Sequence, residues 1–284
     1  LRAINRPCKI SHLTETIGYQ PAVKIIVRKS TSSSDSDSEN RSAFSTVQAE
    51  SSSLINPEYN FGSFIVGDSN KFAYATAQAV AKNPGYAYNP FMIYGASGLG
   101  KTHLMCAIAN QILQDSPSTK ILYVKGDEFT NQLIESMKNK TTSQFHEKYR
   151  QTDILMIDDI HFIAGKASTE EEFFHTFNTL YESGKQIVLT SDRPPREMTQ
   201  LEDRLRTRFE WGLLVDVQPP DFETRLAIVK TKTTQLGCLL SDEIVNYIAE
   251  NVTSNVRQLE GTINKIIAYR ELLDKELDEE AINR

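Results

Sequence analysis

Apolar residues recur along this chain in two rhythms. Five short, nearly continuous runs have the length and composition of buried strands: Phe91-Met-Ile-Tyr94, Ile121-Leu-Tyr-Val124, Ile154-Leu-Met-Ile157, Gln186-Ile-Val-Leu-Thr190 and Leu213-Leu-Val-Asp-Val217. Helical spacing fills the intervals between the first four, as in His103–Leu113. That alternation predicts an α/β fold whose parallel five-stranded sheet is covered on both faces. An alanine-rich helix is expected over Asn70–Ala81, ended by Asn83-Pro-Gly85. Past Pro219-Pro220 the pattern is helical only, over Phe222–Leu236, Ser241–Asn251 and Asn255–Leu272. A small all-helical lid on an α/β base is the architecture this predicts.

The N-terminal stretch keeps to neither rhythm for long. Residues 1–29 hold one helix-like piece at His12–Ile17 and one strand-like run at Ala22–Val27, too little to bury a core. They are expected to be the remnant of a separate small domain. Residues 30–56 are rich in serine and acidic residues and poor in large apolar ones, the composition of a flexible linker. The chain opens at Leu1 without Met or a signal-like segment, so a truncated start is expected.

Composition narrows the function classes. Apolar residues make up 39% and charged residues 24%, and no run is long enough to span a membrane. Cys8, Cys106 and Cys238 lack metal-ligand spacing and read as free thiols in a reducing cytoplasm. The net charge of -6 argues against a domain that grips duplex DNA through its phosphates. Nucleic-acid contact would need a local patch, or a part of the protein outside this chain.

The chemistry centres on Gly95-Ala-Ser-Gly98-Leu99-Gly100-Lys101-Thr102, which fits the phosphate-loop pattern G-x-x-x-x-G-K-[ST] and stands between a predicted strand and a predicted helix. Backbone N–H groups and the helix N-terminus would cradle phosphates. Lys101 would reach the β- and γ-phosphates of a nucleotide such as ATP, or the β-phosphate alone of ADP, and Thr102 would bind Mg²⁺. A strand ends in Asp158 and Asp159, which it would deliver to the sheet edge where the phosphates sit. Asp158 would help hold Mg²⁺ and Asp159 would polarise the attacking water. Asp192, after the next strand, could hydrogen-bond that water or the γ-phosphate; its bland role is a turn cap. Arg204, Arg206 and Arg208 precede the only tryptophan, Trp211. They read as a solvated helix face, a phosphate patch, or a donor to a neighbouring subunit's γ-phosphate. Asn255 is a predicted N-cap, and Arg257 in the first turn behind it could fold onto the phosphates or form a surface ion pair.

Taken together and in this order, these motifs resemble the bacterial chromosomal replication initiators, the DnaA family of AAA+ ATPases. Further similar text is Ala87-Tyr-Asn-Pro90, Gly98–Leu104, Ile157-Asp-Asp-Ile-His-Phe162 and Glu171-Glu-Phe-Phe-His-Thr-Phe-Asn178, so the resemblance covers residues 57–284. It implies an AAA+ P-loop NTPase base over 57–217, a helical lid over 218–272, and at 273–284 the start of a helix leading to a DNA-binding domain. It also makes 1–29 the end of an interaction domain and 30–56 the linker behind it. The same resemblance places Asp192 at sensor 1, Arg257 at sensor 2 and Arg208 at a trans-acting arginine finger. Arg204 matches a further basic position of that segment. Gly95, Gly98, Leu99, Gly100, Lys101, Thr102 and His103 would hold the nucleotide, with Val66, Gly67 and Asn70 over its base. The function so implied is that of an ATP-binding, slowly hydrolysing initiator core, cytoplasmic, that assembles head-to-tail on ATP and helps melt origin DNA. Hydrolysis would act as a switch.

Implied partners are further copies of itself, single-stranded origin DNA, and a replicative helicase or its loader through the N-terminal region, with contact to acidic phospholipid but no membrane span. Two departures from the family pattern stand out. The family's terminal helix-turn-helix domain is absent from the sequence up to Arg284, which is expected to be a fragment's end. Ala167-Ser168-Thr169 stands where an arginine that contacts single strands is usual. Lys166 would substitute, and Ile134 matches the apolar contact. An alternative from another class is a regulatory or loader protein acting on an initiator or helicase without its own duplex-DNA reader. A small-molecule kinase would leave the Arg204–Trp211 segment and the lid unexplained.

Overall fold

A computed structural model of the chain describes residues 55–273, Leu239 excepted. The expected domain remnant at 1–29, nearly all of the linker and the stretch past 273 lie outside the described residues. Five strands alternate with helices: α1 (Lys71–Lys82), β1 (Phe91–Tyr94), α2 (Lys101–Asp115), β2 (Ile121–Lys125), α3 (Gly126–Lys138), α4 (Thr142–Arg150), β3 (Ile154–Asp158), α5 (Ala167–Glu182), β4 (Gln186–Ser191), α6 (Asp203–Glu210) and β5 (Leu213–Asp216). Three more helices complete the described chain, α7 (Phe222–Gln235), α8 (Asp242–Asn251) and α9 (Val256–Leu273).

All strand pairs are parallel, in the order β2-β3-β4-β1-β5. The strands read as continuous apolar runs because both faces are covered. Phe91, Ile93, Ile121, Tyr123, Ile154, Met156 and Val188 point into one core with α1 and α2. Met92, Leu122, Val124, Leu155, Ile157, Ile187 and Leu189 point into a second core with α3 to α6. Period-two alternation distributes each strand between the two.

Parallel strands put every carboxyl end at one edge, so Tyr94, Asp158 and Ser191 finish side by side. The opposite edge carries the strand starts. There Gly212 runs so close to Pro90 that an added Cβ would sit 1.8 Å from its carbonyl oxygen.

The last three helices surround an apolar cluster of their own, with Val229, Ile248, Leu259 and Ile263 at its centre. The predicted N-cap Asn255 is present, and Ser241 caps α8 as well. Ser241 accepts from the N–H of Ile244 at 3.4 Å, and Asn255 Oδ1 accepts from Gln258 N–H at 2.8 Å. Cys106 and Cys238 are buried and unpaired. Among the described residues no helix is long and apolar enough to cross a membrane.

Candidate functional site

The loop between β1 and α2 is held in a shape that only glycine adopts cheaply. Gly98 and Gly100 have φ of +79° and +97°. At Gly98 a Cβ would also meet Asn255 Oδ1 at 2.9 Å and Arg257 Cβ at 3.0 Å, so the loop is in contact with the start of α9. Gly95 N–H bonds Ser191 O at 3.2 Å, tying the loop to the end of β4. Leu99 anchors the loop in the core beneath α1 and α2.

Lys101, the first residue of α2, is only 6% exposed. Its ammonium is turned back into the loop, donating to Gly95 O at 2.7 Å and Ala96 O at 2.9 Å. Burial pulls its pKa down, opposed by Asp159, Asp158 and Asp192. Thr102, one residue on, donates its hydroxyl to Asp158 Oδ2 at 2.9 Å.

Asp158 closes β3 and is 3% exposed. Besides Thr102 it accepts from Tyr123 Oη at 2.9 Å and from the Thr190 hydroxyl. Tyr123 and Thr190 stand on the strands either side of β3, so three hydroxyls converge on one carboxylate. Thr190 also accepts from Asp159 N–H at 2.9 Å, holding the next residue in the left-handed region at φ 55°, ψ 52°. A non-glycine residue held there costs about 1–3 kcal/mol, and such outliers concentrate at functional sites. Burial raises the Asp159 pKa, and the Asp158 charge raises it further.

Asp192 stands at the same edge, just past β4, but its carboxylate is engaged. Arg193 grips both oxygens at 2.9 and 2.8 Å, and His161 Nδ1 lies 3.4 Å from Oδ1. The Arg193 hydrogen bonds hold its pKa below the usual carboxylate range.

Arg257 reaches the loop from the helical side. Its N–H bonds Gly98 O at 3.2 Å and its Nη1 bonds Ser97 Oγ at 3.2 Å. Loop, Thr102, Asp159, Arg257 and Tyr59 line one cavity. An adjoining cavity is lined by Phe64, Ile65, Asn70, Leu99, His103 and Pro220.

His103 stands between the two, stacked on Tyr59 with ring centroids 4.7 Å apart and hydrogen-bonded to Asn60 O at 3.0 Å. Asn70 is buried and braces its own segment, accepting from Gly67 N–H and donating to Ile65 O, both at 3.0 Å. Val66 is exposed and lines neither cavity.

A divalent cation was expected beside Thr102. The Thr102 hydroxyl and Asp158 carboxylate are hard oxygen donors in contact. Among the described residues no cluster of three His, Cys, Asp or Glu could hold a metal alone. That set fits a cation taking most of its ligands from water and phosphate, as Mg²⁺ does.

Arg208 is not brought to this cavity. Helix α6 feeds the start of β5, so Arg208 and Trp211 sit at the opposite edge of the sheet. Ile134 and Lys166 are exposed and close together, for Lys166 Nζ lies 3.5 Å from Thr130 Oγ1, one turn before Ile134 on α3.

Tyr123, Thr190, Tyr59 and Ser97 carry site contacts that the sequence did not announce.

The family described as the bacterial DnaA ATPase domain matches residues 55–216. The chain belongs to the bacterial DnaA ATPase-domain family. It is 55% identical over 235 residues to the chromosomal replication initiator protein DnaA of Lachnoclostridium phytofermentans, covering 82% of this chain and 52% of that one. The chain thus spans about half the length of that DnaA relative. Domain III of the Thermotoga maritima replication initiation protein DnaA superposes with a TM-score of 0.78 at 45% identity, over 80% of this chain and 95% of that one. A replication initiator DnaA bound to AMPPCP and single-stranded DNA gives 0.71 at 39% identity, over 78% and 68%. The expected α/β fold with a five-stranded parallel sheet is the fold of these DnaA structures.

Proposed function

We propose that this chain is the ATP-switched core of a replication initiator, cytoplasmic, which assembles head-to-tail when it carries ATP and returns to single subunits after hydrolysis. The observation that carries this reading is a division between the two sheet edges. The phosphate loop, Asp158, Asp159 and Arg257 converge at one edge, while Arg208 waits at the other, where no phosphate of its own chain can reach it. A surface with a nucleotide on one side and an arginine on the other complements a second copy of itself. Such heterologous contacts need not close and can build a filament.

In this reading residues 57–217 form the nucleotide-binding base and 218–272 the lid. Loop N–H groups and Lys101 take the phosphates. Leu99, His103 and Asn70 border the base, with the Val66 side chain outside that cavity. Thr102 and Asp158 would hold Mg²⁺, which when bound neutralises charge on the β- and γ-phosphates. Asp159, whose raised proton affinity suits a general base, polarises a water for attack on the γ-phosphorus. Asp192, once released from Arg193, orients that water. Arg257 contacts the γ-phosphate from the lid, so that losing this group loosens lid from loop.

Ile134 and Lys166 offer an apolar and a cationic contact to single-stranded origin DNA. The DnaA relative bound to AMPPCP and single-stranded DNA supports that partner. Weak contacts of this kind gain by avidity when subunits line up. A replicative helicase or its loader is expected at the N-terminal region.

Arg208→Ala is the test. The variant should bind ATP within about twofold of the parent, yet fail to form the parent's larger species in sedimentation with ATP and Mg²⁺. Equal assembly by the two proteins would remove Arg208, and the head-to-tail contact with it.

A further inference from the structure

The three arginines of α6 are held in three different ways. Arg206 donates to the carbonyls of Met198 at 3.2 Å and Leu201 at 2.9 Å, and to Asp203 at 2.6 Å. Arg204 pairs with Glu202 at 2.5 Å while lying over the Phe174 ring at 4.7 Å. Arg208 is held by aromatic rings alone. Its guanidinium carbon lies 3.9 Å from the Trp211 ring centroid and 5.7 Å from that of Phe174. Among the described residues its side chain makes no hydrogen bond and no ion pair.

That difference has a chemical meaning. A carboxylate partner would neutralise the guanidinium and occupy the N–H donors that a phosphate needs. A ring face attracts the cation through its quadrupole and leaves all five donors free. Trp211 is built to serve as such a face. It caps α6, three residues beyond Arg208 and therefore on the same side of the helix. It is 55% exposed, and Tyr181 backs it at 5.8 Å. Tyr181 in turn stacks on Phe177 of the core, with ring planes 11° apart. The ring is therefore braced by Tyr181 while Arg208 lies over its face.

We infer that Trp211 is the positioning residue of Arg208, holding the guanidinium extended and unneutralised for a phosphate presented by a second copy of the chain. The inference rests on the proposed role of Arg208, and it goes beyond that role by naming what sets the arginine's rotamer. The bland alternative is an exposed tryptophan that only covers the end of α6. A second alternative is that Trp211 itself touches the neighbouring subunit.

Trp211 is the only tryptophan in the chain, so its emission reports the stack directly. Without nucleotide, Arg208→Ala should change the emission spectrum. An unchanged spectrum would overturn the stack. In sedimentation with ATP and Mg²⁺, Trp211→Ala should raise the concentration for half-assembly by about 5- to 30-fold, the range that one desolvated cation–π contact is worth. Trp211→Phe keeps a ring face and should stay within about threefold of the parent. ATP binding should be unchanged in both. Parent-like assembly by Trp211→Ala, with Arg208→Ala defective, overturns the inference and leaves the role of Arg208 standing. A Trp211→Phe defect as large as that of Trp211→Ala also overturns it, since a direct contact by the indole then explains the loss. Parent-like assembly by Arg208→Ala removes the underlying reading itself.

Discussion

Replacing Lys101 with alanine is expected to weaken ATP binding by at least about 100-fold while leaving the fold intact. The ammonium is desolvated inside the loop and bonded to two of its carbonyls, at 2.7 and 2.9 Å. A bound nucleotide replaces those carbonyls with phosphate oxygens, which carry full charge. Each charge-assisted bond contributes about 1.5–3 kcal/mol, and about 1.4 kcal/mol is a factor of ten in affinity. Two such bonds therefore predict a loss of roughly two to four decades, and the lower figure allows for water entering the vacated space. The apolar anchors of the loop, Leu99 and Leu104, are untouched, so the thermal midpoint without nucleotide should move by only a few degrees. Calorimetric titration with ATP measures the first quantity and a thermal melt the second. A loss of less than tenfold would mean that the loop backbone alone carries the phosphates.

Asp158→Ala should differ sharply from Asp158→Asn in stability and hardly at all in chemistry. The carboxylate is buried and held by the hydroxyls of Thr102, Tyr123 and Thr190. Alanine removes the acceptor and leaves three hydroxyls around a small void. An unmet buried donor costs about 1–3 kcal/mol, and rotation of the two threonine hydroxyls toward other acceptors recovers part of the sum. A net loss of about 3 kcal/mol in urea unfolding is expected.

Asparagine keeps the volume and one acceptor oxygen, which can keep the Thr102 and Tyr123 hydroxyls that share Oδ2, while the Thr190 hydroxyl at the other position can accept from its amide NH2. It also removes a buried charge, so its cost should stay below about 1.5 kcal/mol. Both variants lack the carboxylate facing Thr102 and should release phosphate from ATP at least about 100-fold more slowly than the parent. That is the order expected when a charged group at a phosphoryl-transfer site is lost. Equal destabilisation by the two variants would show that the hydroxyl network does not depend on its acceptor.

These two residues also mark what could and could not be read in advance. Lys101 and Asp158 lie in local patterns, a glycine loop between strand and helix and an acidic pair ending an apolar run. The buried strands were equally legible, because coverage on both faces leaves continuous apolar runs. Tyr123 and Thr190 were silent. Their roles depend on the order β2-β3-β4-β1-β5, which brings both flanking strands against β3, and strand order is a long-range property. Tyr123 in an apolar run looks like a core aromatic until its neighbour is known.

Spacing puts Asp192 just past β4, but its grip on Arg193 and its approach to His161 depend on rotamers rather than on spacing. In the sequence Trp211 stands only as a neighbour of the arginines. Its use as a support appears once Arg204 and Arg206 are seen paired and Arg208 is not.

In the proposed function the γ-phosphate completes a contact between subunits. Sedimentation velocity on the parent chain, at matched concentration with Mg²⁺ and either ATP or ADP, addresses it most directly. Species larger than a dimer are expected with ATP, and single subunits with ADP. Identical distributions with the two nucleotides, each shown to be bound, would contradict it.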